Sequence, residues 1–560
     1  MGLNILNKRV KNSRLSALAE NLSGSMKYIY GTILALILTI CLFCSHMDYS
    51  YKKTMEHTNW QYLSVGVLVI VALFWGIAVV DNLFARKRGK DQNNAQSGGV
   101  TQKKPAKFYS RTGFWMLLVN LLFFAGLVFC SYHYYFKTGW DAQTVEGTAN
   151  LIAMGKYEEA QNRYFSFYPN NVFLTFLFSV VIKLGYAVGV SNYYFVIIVF
   201  QCLLFGAAGY LVYCCAEKLL NSTWAVGVWA LYALFVGMSP WVVIPYSDAT
   251  GVFFPILIFY IYLCIRSGRY IRCNLVLLTL VSYVGYRIKP QILIMLIGIG
   301  IVEILEFVKS DACVRKIWQR RLLWPVLGIL LGMGVVTAGV KATRLQIDEE
   351  LVFSIPHYLM MGLNEEFNGV INLEDQDFSM SYATVEERTR ANLQVATERV
   401  REMGVPGLLK LWTRKTLTNF SDGTFAWWEE GEFYSQEMYE GNYYLRSLLS
   451  RFYYRHGGGF EGFVNYMQAL WMGILFLATM ASLKGKHHGA ENALMLSIVG
   501  LFLFETVFEA RARYLFIYAP VFVLLAGLGA HRIWSSMGKR LRKTSGNGIL
   551  QHMETDECKK

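Results

Sequence analysis

The sequence predicts an all-α polytopic membrane protein, with about 12 transmembrane helices, one further re-entrant or juxtamembrane helix and a helical extracytoplasmic domain. Three observations predict it. The 560 residues are 54% hydrophobic and 15% aromatic but only 16% charged, well under the roughly 25% charge of soluble domains. Apolar windows of roughly 17–25 residues, long enough to cross a hydrocarbon core, recur along most of the chain. The basic residues behind the net charge of +14 gather in short loops between those windows. That is the positive-inside pattern, and it argues against a nucleic-acid partner.

The elements follow in order. Residues 1–26 form a basic cytoplasmic N-terminus with Lys8, Arg9 and Arg14. No cleavable signal peptide is visible, and the run from Tyr28 to Phe43 reads as a retained first span. Windows at 27–46 and 62–83 make an N-terminal hairpin over 27–83, and 84–111 is a basic cytoplasmic linker. The core, 112–343, carries windows at 112–135, 193–215, 222–243, 250–265, 273–287, 290–308 and 323–343, with an outer loop at 137–171. An extracytoplasmic domain fills 344–462, where TVEERTRANLQVATERVREMG reads as a long helix stopped by Gly404 and Pro406. Windows at 463–483, 490–508 and 514–534 complete the C-terminal spans of 463–535, and 536–560 is a basic cytoplasmic tail.

One run, 172–190, is ambiguous because it holds Lys183 and several glycines. If it does not cross, the basic loops at 86–111, 266–272, 309–321, 484–486 and 532–543 all share one side with the N-terminus. If it crosses, every later basic loop moves outside. The first solution obeys the Lys/Arg bias, so 172–190 reads as a re-entrant or interfacial helix.

The ten cysteines lie in spans (Cys41, Cys44, Cys130, Cys202, Cys214, Cys264) or cytoplasmic-side segments (Cys215, Cys273, Cys313, Cys558). None falls in 344–462, so no disulfide-built outer domain is expected, and no Cys/His spacing reads as zinc. His487-His488 reads as a solvated loop. There is no Walker loop, strand-borne G-x-G-x-x-G, G-x-S-x-G or H-E-x-x-H, so cytoplasmic nucleotide energy is not indicated.

This topology puts the chemically demanding residues on the outer face. Asp141, in KTGWDAQTVEG, and Asp248, in PWVVIPYSDATG, sit where apolar spans run out. Each can be a helix cap. As a pair they can instead activate an acceptor hydroxyl or hold a divalent ion, Mg or Mn, against a phosphate. Arg287 and Lys289, in YRIKPQ, and Arg511 and Arg513, in FEARARYLFIYAP, are cations suited to grip a lipid phosphate. The two in YRIKPQ can equally snorkel to headgroups. Glu146, Tyr168, Asn170, Tyr246, Glu509 and Tyr514 flank these motifs and are candidates for substrate contact. Glu374, Asp375 and Asp377 make an acidic cluster that reads as a solvated loop before it reads as a calcium site.

The order of these motifs resembles the GT-C superfamily of membrane glycosyltransferases, and within it the branch of protein O-mannosyltransferases and the lipid A aminoarabinose transferase. The resemblance rests on the early outer-loop Asp141, the loop ending in YPNN, the SPWVVIPYSD turn and the late EARARYL, over roughly residues 112–535. It implies a polyprenyl-phosphate sugar donor, inverting transfer to an extracytoplasmic glycan, lipid or protein, and a plasma-membrane location with the active site outside. It makes Asp141 the general base, Asp248 a supporting acidic position, and Lys289, Arg511 and Arg513 the donor-phosphate grip. The chain departs from the family where Trp140-Asp141-Ala142 replaces the Asp-Glu pair of the eukaryotic mannosyltransferases, with Glu146 the nearest substitute. The first two spans look like an addition ahead of the usual core. Two alternatives of other classes are a lipid-linked saccharide transporter, disfavoured by nearly uncharged span interiors, and a non-catalytic envelope-assembly protein.

Overall fold

A computed structural model describes residues 14–53, 55, 57–95, 111–431, 436–437, 443–483 and 489–537. The far N-terminus, residues 96–110 of the basic linker, His487-His488, the tail beyond 537 and Cys558 lie outside the described residues. Eleven helices among those described are long and apolar enough to cross a bilayer. Ten correspond to predicted windows, and the eleventh is Pro169–Ala187, the segment read as re-entrant or interfacial. Its 19 residues suit either reading.

The two remaining windows are shorter helices. The 222–243 window contracts to Ser222–Phe235, 14 residues, because a turn follows and Pro240 opens a 3-10 turn, Pro240–Val243. A Cβ at Gly237 would lie 2.5 Å from the Ala233 carbonyl oxygen, so the chain needs glycine there. The 490–508 window becomes the 17-residue helix Glu491–Val507.

The C-terminal spans form the centre of the bundle. In Ala512–Met537, 83% of the most apolar window is buried, against 17% in Asn59–Val80 at the lipid-facing rim. The N-terminal hairpin is nevertheless built into the core. At Gly66 an added Cβ would meet the Ala469 carbonyl oxygen at 1.8 Å, so this helix crosses Phe460–Met480 backbone against backbone. The Tyr30 hydroxyl donates to Ala478 O at 2.7 Å. Gln468 donates to Asn59 Oδ1 at 2.9 Å, and Asn59 donates to Cys41 O at 2.8 Å.

The 344–462 segment, expected outside the membrane, is mainly helical among its described residues, as its sequence predicts. The helices Ile355–Gly362 and Leu373–Met380 pack beside Val385–Phe420, which is interrupted at Gly404 (φ 53°, ψ −169°) just ahead of Pro406. Left-handed φ is cheap only for glycine, so the predicted stop is a sharp break between two helical halves. A small core of Met360, Leu363 and Ala396 fills the angle. The fully buried Arg388 donates to the carbonyls of Ser379 (2.7 Å), Glu350 (2.8 Å) and Tyr382 (2.7 Å). The acidic cluster is helix rather than loop: Asn372 caps its N-terminus, and Arg399 grips Asp375 through two bonds of 2.6 and 3.0 Å. Burial pushes the Asp375 carboxyl up, but hydrogen bonds from Arg399, Asn372 and Asn364 outweigh it and hold the group below its usual range.

Lys415 ties this domain to the bundle. Its buried ammonium donates to Gly362 O (2.8 Å), Thr506 O (2.9 Å) and Phe508 O (2.6 Å), the last two closing the helix Glu491–Val507. Carbonyls at a helix C-terminus lack intrahelical partners and carry partial negative charge.

Candidate functional site

Five separate stretches deliver one cluster. The helix Trp140–Ala153 places Asp141 in its first turn. The 3-10 turn Pro169–Asn171 presents its amides ahead of Val172–Ala187. After the turn Pro240–Val243, the short helix Ser247–Gly251 carries Asp248 directly behind Tyr246. Lys289 sits in the break between Ile271–Ile288 and Pro290–Ile292, and Arg513 and Tyr514 lie in the 3-10 segment Ala512–Tyr518.

Asp248 is 1% exposed and sits between two cations. Lys289 Nζ pairs with its Oδ1, and Arg513 Nε lies 3.8 Å from its Oδ2. The ammonium of Lys289 also stands 4.3 Å from the Tyr514 ring centroid. The Arg513 guanidinium is stacked 4.4 Å from the Trp140 ring and 5.6 Å from that of Tyr246. Arg513 therefore spans from Asp248 to the aromatic neighbours of Asp141. Trp140 holds φ +46°, an uncommon conformation for a bulky residue, immediately before Asp141.

Asp141 meets a different environment. It is partly exposed, accepts a hydrogen bond from the Tyr246 hydroxyl at 3.1 Å, and makes no ion pair among the described residues. Asn171 donates to the oxygen of Tyr246 (3.2 Å) and to that of Tyr164 (2.6 Å). Burial, with the Asp141 carboxylate a further cause in each case, raises the hydroxyls of Tyr164, Tyr168, Tyr246 and Tyr358. All four stay protonated at neutral pH and can donate. The 344–462 segment reaches this edge too: Gln376 donates to the Tyr168 hydroxyl at 2.6 Å.

The predicted site residues divide accordingly. Asp141, Tyr246, Asp248, Lys289, Arg513 and Tyr514 form the linked cluster. Glu509 and Arg511 pair with each other at 3.0 Å on its flank, where both act on Tyr168. Asn170 stands beside the cluster and donates to its neighbour Asn171 at 3.2 Å. Arg287 makes no ion pair among the described residues.

Glu146 belongs elsewhere. It is fully buried, 3.3 Å from Lys137 Nζ, and burial raises its carboxyl against the opposing pull of that lysine. It replaces nothing beside Asp141. The sequence did not point to Asn171, Tyr164, Tyr358, Gln376 or the Trp140 ring as parts of the cluster.

A divalent ion fits this arrangement poorly. Both oxygens of Asp248 already face a lysine and an arginine, which an entering cation would have to displace. Among the described residues, no group of three or more His, Cys, Asp and Glu side chains converges as metal ligands.

Fold and site together define a polytopic integral membrane protein with a charged, tyrosine-lined cluster at the ends of its spans. Residues 18–534 match a family described as conserved hypothetical integral membrane proteins, and the chain belongs to that family. Comparison with curated proteins finds no match.

Proposed function

We propose that the protein is an inverting glycosyltransferase that moves a sugar from a polyprenyl-phosphate donor to an acceptor hydroxyl on the outer face of a plasma membrane. One observation carries the reading. Asp141 rests on a neutral hydroxyl, whereas Asp248 and Glu509 are paired with cations. A carboxylate that accepts one hydrogen bond and pairs with no cation has lone pairs left to meet an acceptor hydroxyl. Cations a few ångströms away are placed to meet a leaving phosphate.

In this mechanism the acceptor oxygen attacks the anomeric carbon, and Asp141 takes the hydroxyl proton. The bond from that carbon to the phosphate oxygen breaks, and the lipid phosphate leaves with the electron pair toward Lys289 and Arg513. Asp248 holds those two cations in place. Tyr164, Tyr168 and Tyr358 offer rings and hydroxyls to a sugar. No step requires a metal.

The test is the envelope glycan profile of a deletion strain complemented with wild type or Asp141→Asn. Loss of one sugar substituent, accumulation of a polyprenyl-phosphate sugar, and rescue by wild type alone are expected. Full rescue by Asp141→Asn would sink the assignment. Accumulation of a lipid-linked saccharide trapped on the cytoplasmic side would point to transport.

A further inference from the structure

The chain carries a second polar feature at the opposite ends of two of its spans, independent of the proposed transfer reaction. The ten-residue helix Ala312–Arg321 joins Leu293–Lys309 to Leu323–Thr343, and none of its residues is buried. A helix this short gains little from its own hydrogen bonds, so a surface must hold it. Asp311 caps it by accepting from Val314 N at 2.9 Å, and Trp318 packs on Phe307 with ring centroids 6.0 Å apart. The rest faces outward.

Its outward residues are of two kinds. Arg315, Lys316 and Arg320 are exposed, Arg321 is half-exposed, and none of the four makes an ion pair among the described residues. Ile317 (43% exposed), Leu322 and Leu323 add apolar surface on the same element and its exit. A neighbouring turn extends the patch. Helices Ile271–Ile288 and Leu323–Thr343 pack side by side, which brings Arg272 to 5.6 Å from the Trp324 ring. Arg269 and the 80%-exposed Tyr270 sit at that same end.

Cations, an aromatic and aliphatic side chains at the ends of spans match the two layers of a bilayer surface: anionic headgroups above and acyl chains below. We infer that Ala312–Arg321 and the 269–272 turn form a docking site for anionic phospholipid headgroups of the adjoining leaflet. Phosphodiester oxygens meet Arg315, Lys316, Arg320 and Arg321, while Ile317, Leu322 and Leu323 enter the acyl boundary.

The experiment uses the full-length protein in neutral detergent, incubated with equal phosphatidylglycerol and phosphatidylcholine, with retained lipid counted by native mass spectrometry. Wild type is expected to retain phosphatidylglycerol preferentially. The variant carrying Arg315→Gln, Lys316→Gln, Arg320→Gln and Arg321→Gln should lose that preference by about tenfold or more. Its thermal midpoint should hold, because no buried contact is removed. Replacing the three arginines by lysine should restore retention, and Arg390→Gln with Arg401→Gln on the outer domain should leave it unchanged. Unaltered phosphatidylglycerol retention in the quadruple variant overturns the inference. So does an equal fall for both lipids or an equal loss in the outer-domain control, and an acidic protein partner would then be the better occupant.

Discussion

Tyr246 holds the hydrogen bond on which the proposed chemistry turns, and Asn171 orients Tyr246 in its turn. Under the proposed function, Asp141→Asn should reduce sugar transfer by about two orders of magnitude or more, the range for a lost general base. Tyr246→Phe keeps the ring packed on Trp140 and removes only the donor. Transfer should fall by about 10- to 100-fold, consistent with a hydrogen bond to a charged group of about 1.5–3 kcal/mol. Both are read as substituted glycan per cell at matched protein level. The aspartates were legible because a carboxylate at the end of an apolar span needs a reason. Asn171 was not, because the phase of a 3-10 turn decides which of two adjacent amides points inward. Glu146 could have been set aside from spacing alone: five residues past Asp141 on a helix is about 140° around the axis.

At the scale of elements, close approach decides more than hydropathy does. A Cβ at Gly66 would enter the backbone of the facing helix, whereas one at Gly462 meets nothing within 4 Å. Gly66→Leu should therefore cut the yield of folded protein sharply, by overpacking of at least about 1–3 kcal/mol. Gly462→Leu should be tolerated, and fluorescence-detected size exclusion of the two variants checks both. Lys415→Met would leave three carbonyls without their donor and lower the thermal midpoint, a loss of about 1–3 kcal/mol or more. The Gly404–Pro406 break was readable because both residues act on the backbone locally. The hairpin's place in the core was not, since Gly66 announces a close crossing only once its partner near Ala469 is known. The re-entrant reading of 172–190 came from charge bookkeeping, which sets sidedness and leaves helix length free.

For the whole molecule, the Lys/Arg bias predicts both termini inside and residues 344–462 outside. Cys273 and Cys313 are exposed, so an impermeant maleimide should label them in inverted vesicles and spare them in intact cells. Labelling in intact cells would reverse the topology. Acid sensitivity should come partly from the outer domain, where burial lowers His357 from 6.5 to about 4. Between those values the unfolded chain binds a proton that the folded chain refuses, so stability falls as pH drops from about 6.5 to 4, by up to about 3 kcal/mol. The depressed carboxyl of Asp375 acts in a lower window, its contribution vanishing only as pH falls through its folded value. Thermal midpoints across pH 4–7 should decline, and His357→Gln should flatten the decline above pH 4.

The embedded hairpin also imposes a timetable on biosynthesis. Tyr30 bonds a residue 448 positions later, and Asn59 one 409 positions later. At about 5–20 residues per second, the first two spans wait roughly twenty seconds to a minute and a half before their partners emerge from the ribosome. Throughout that interval the notch at Gly66 and the amide oxygen of Asn59 stand without the partners that later fill them. A chain stalled or cut before about residue 460 would keep them so, leaving the newborn N-terminal spans as the stretch most open to capture by a foreign helix or a membrane protease.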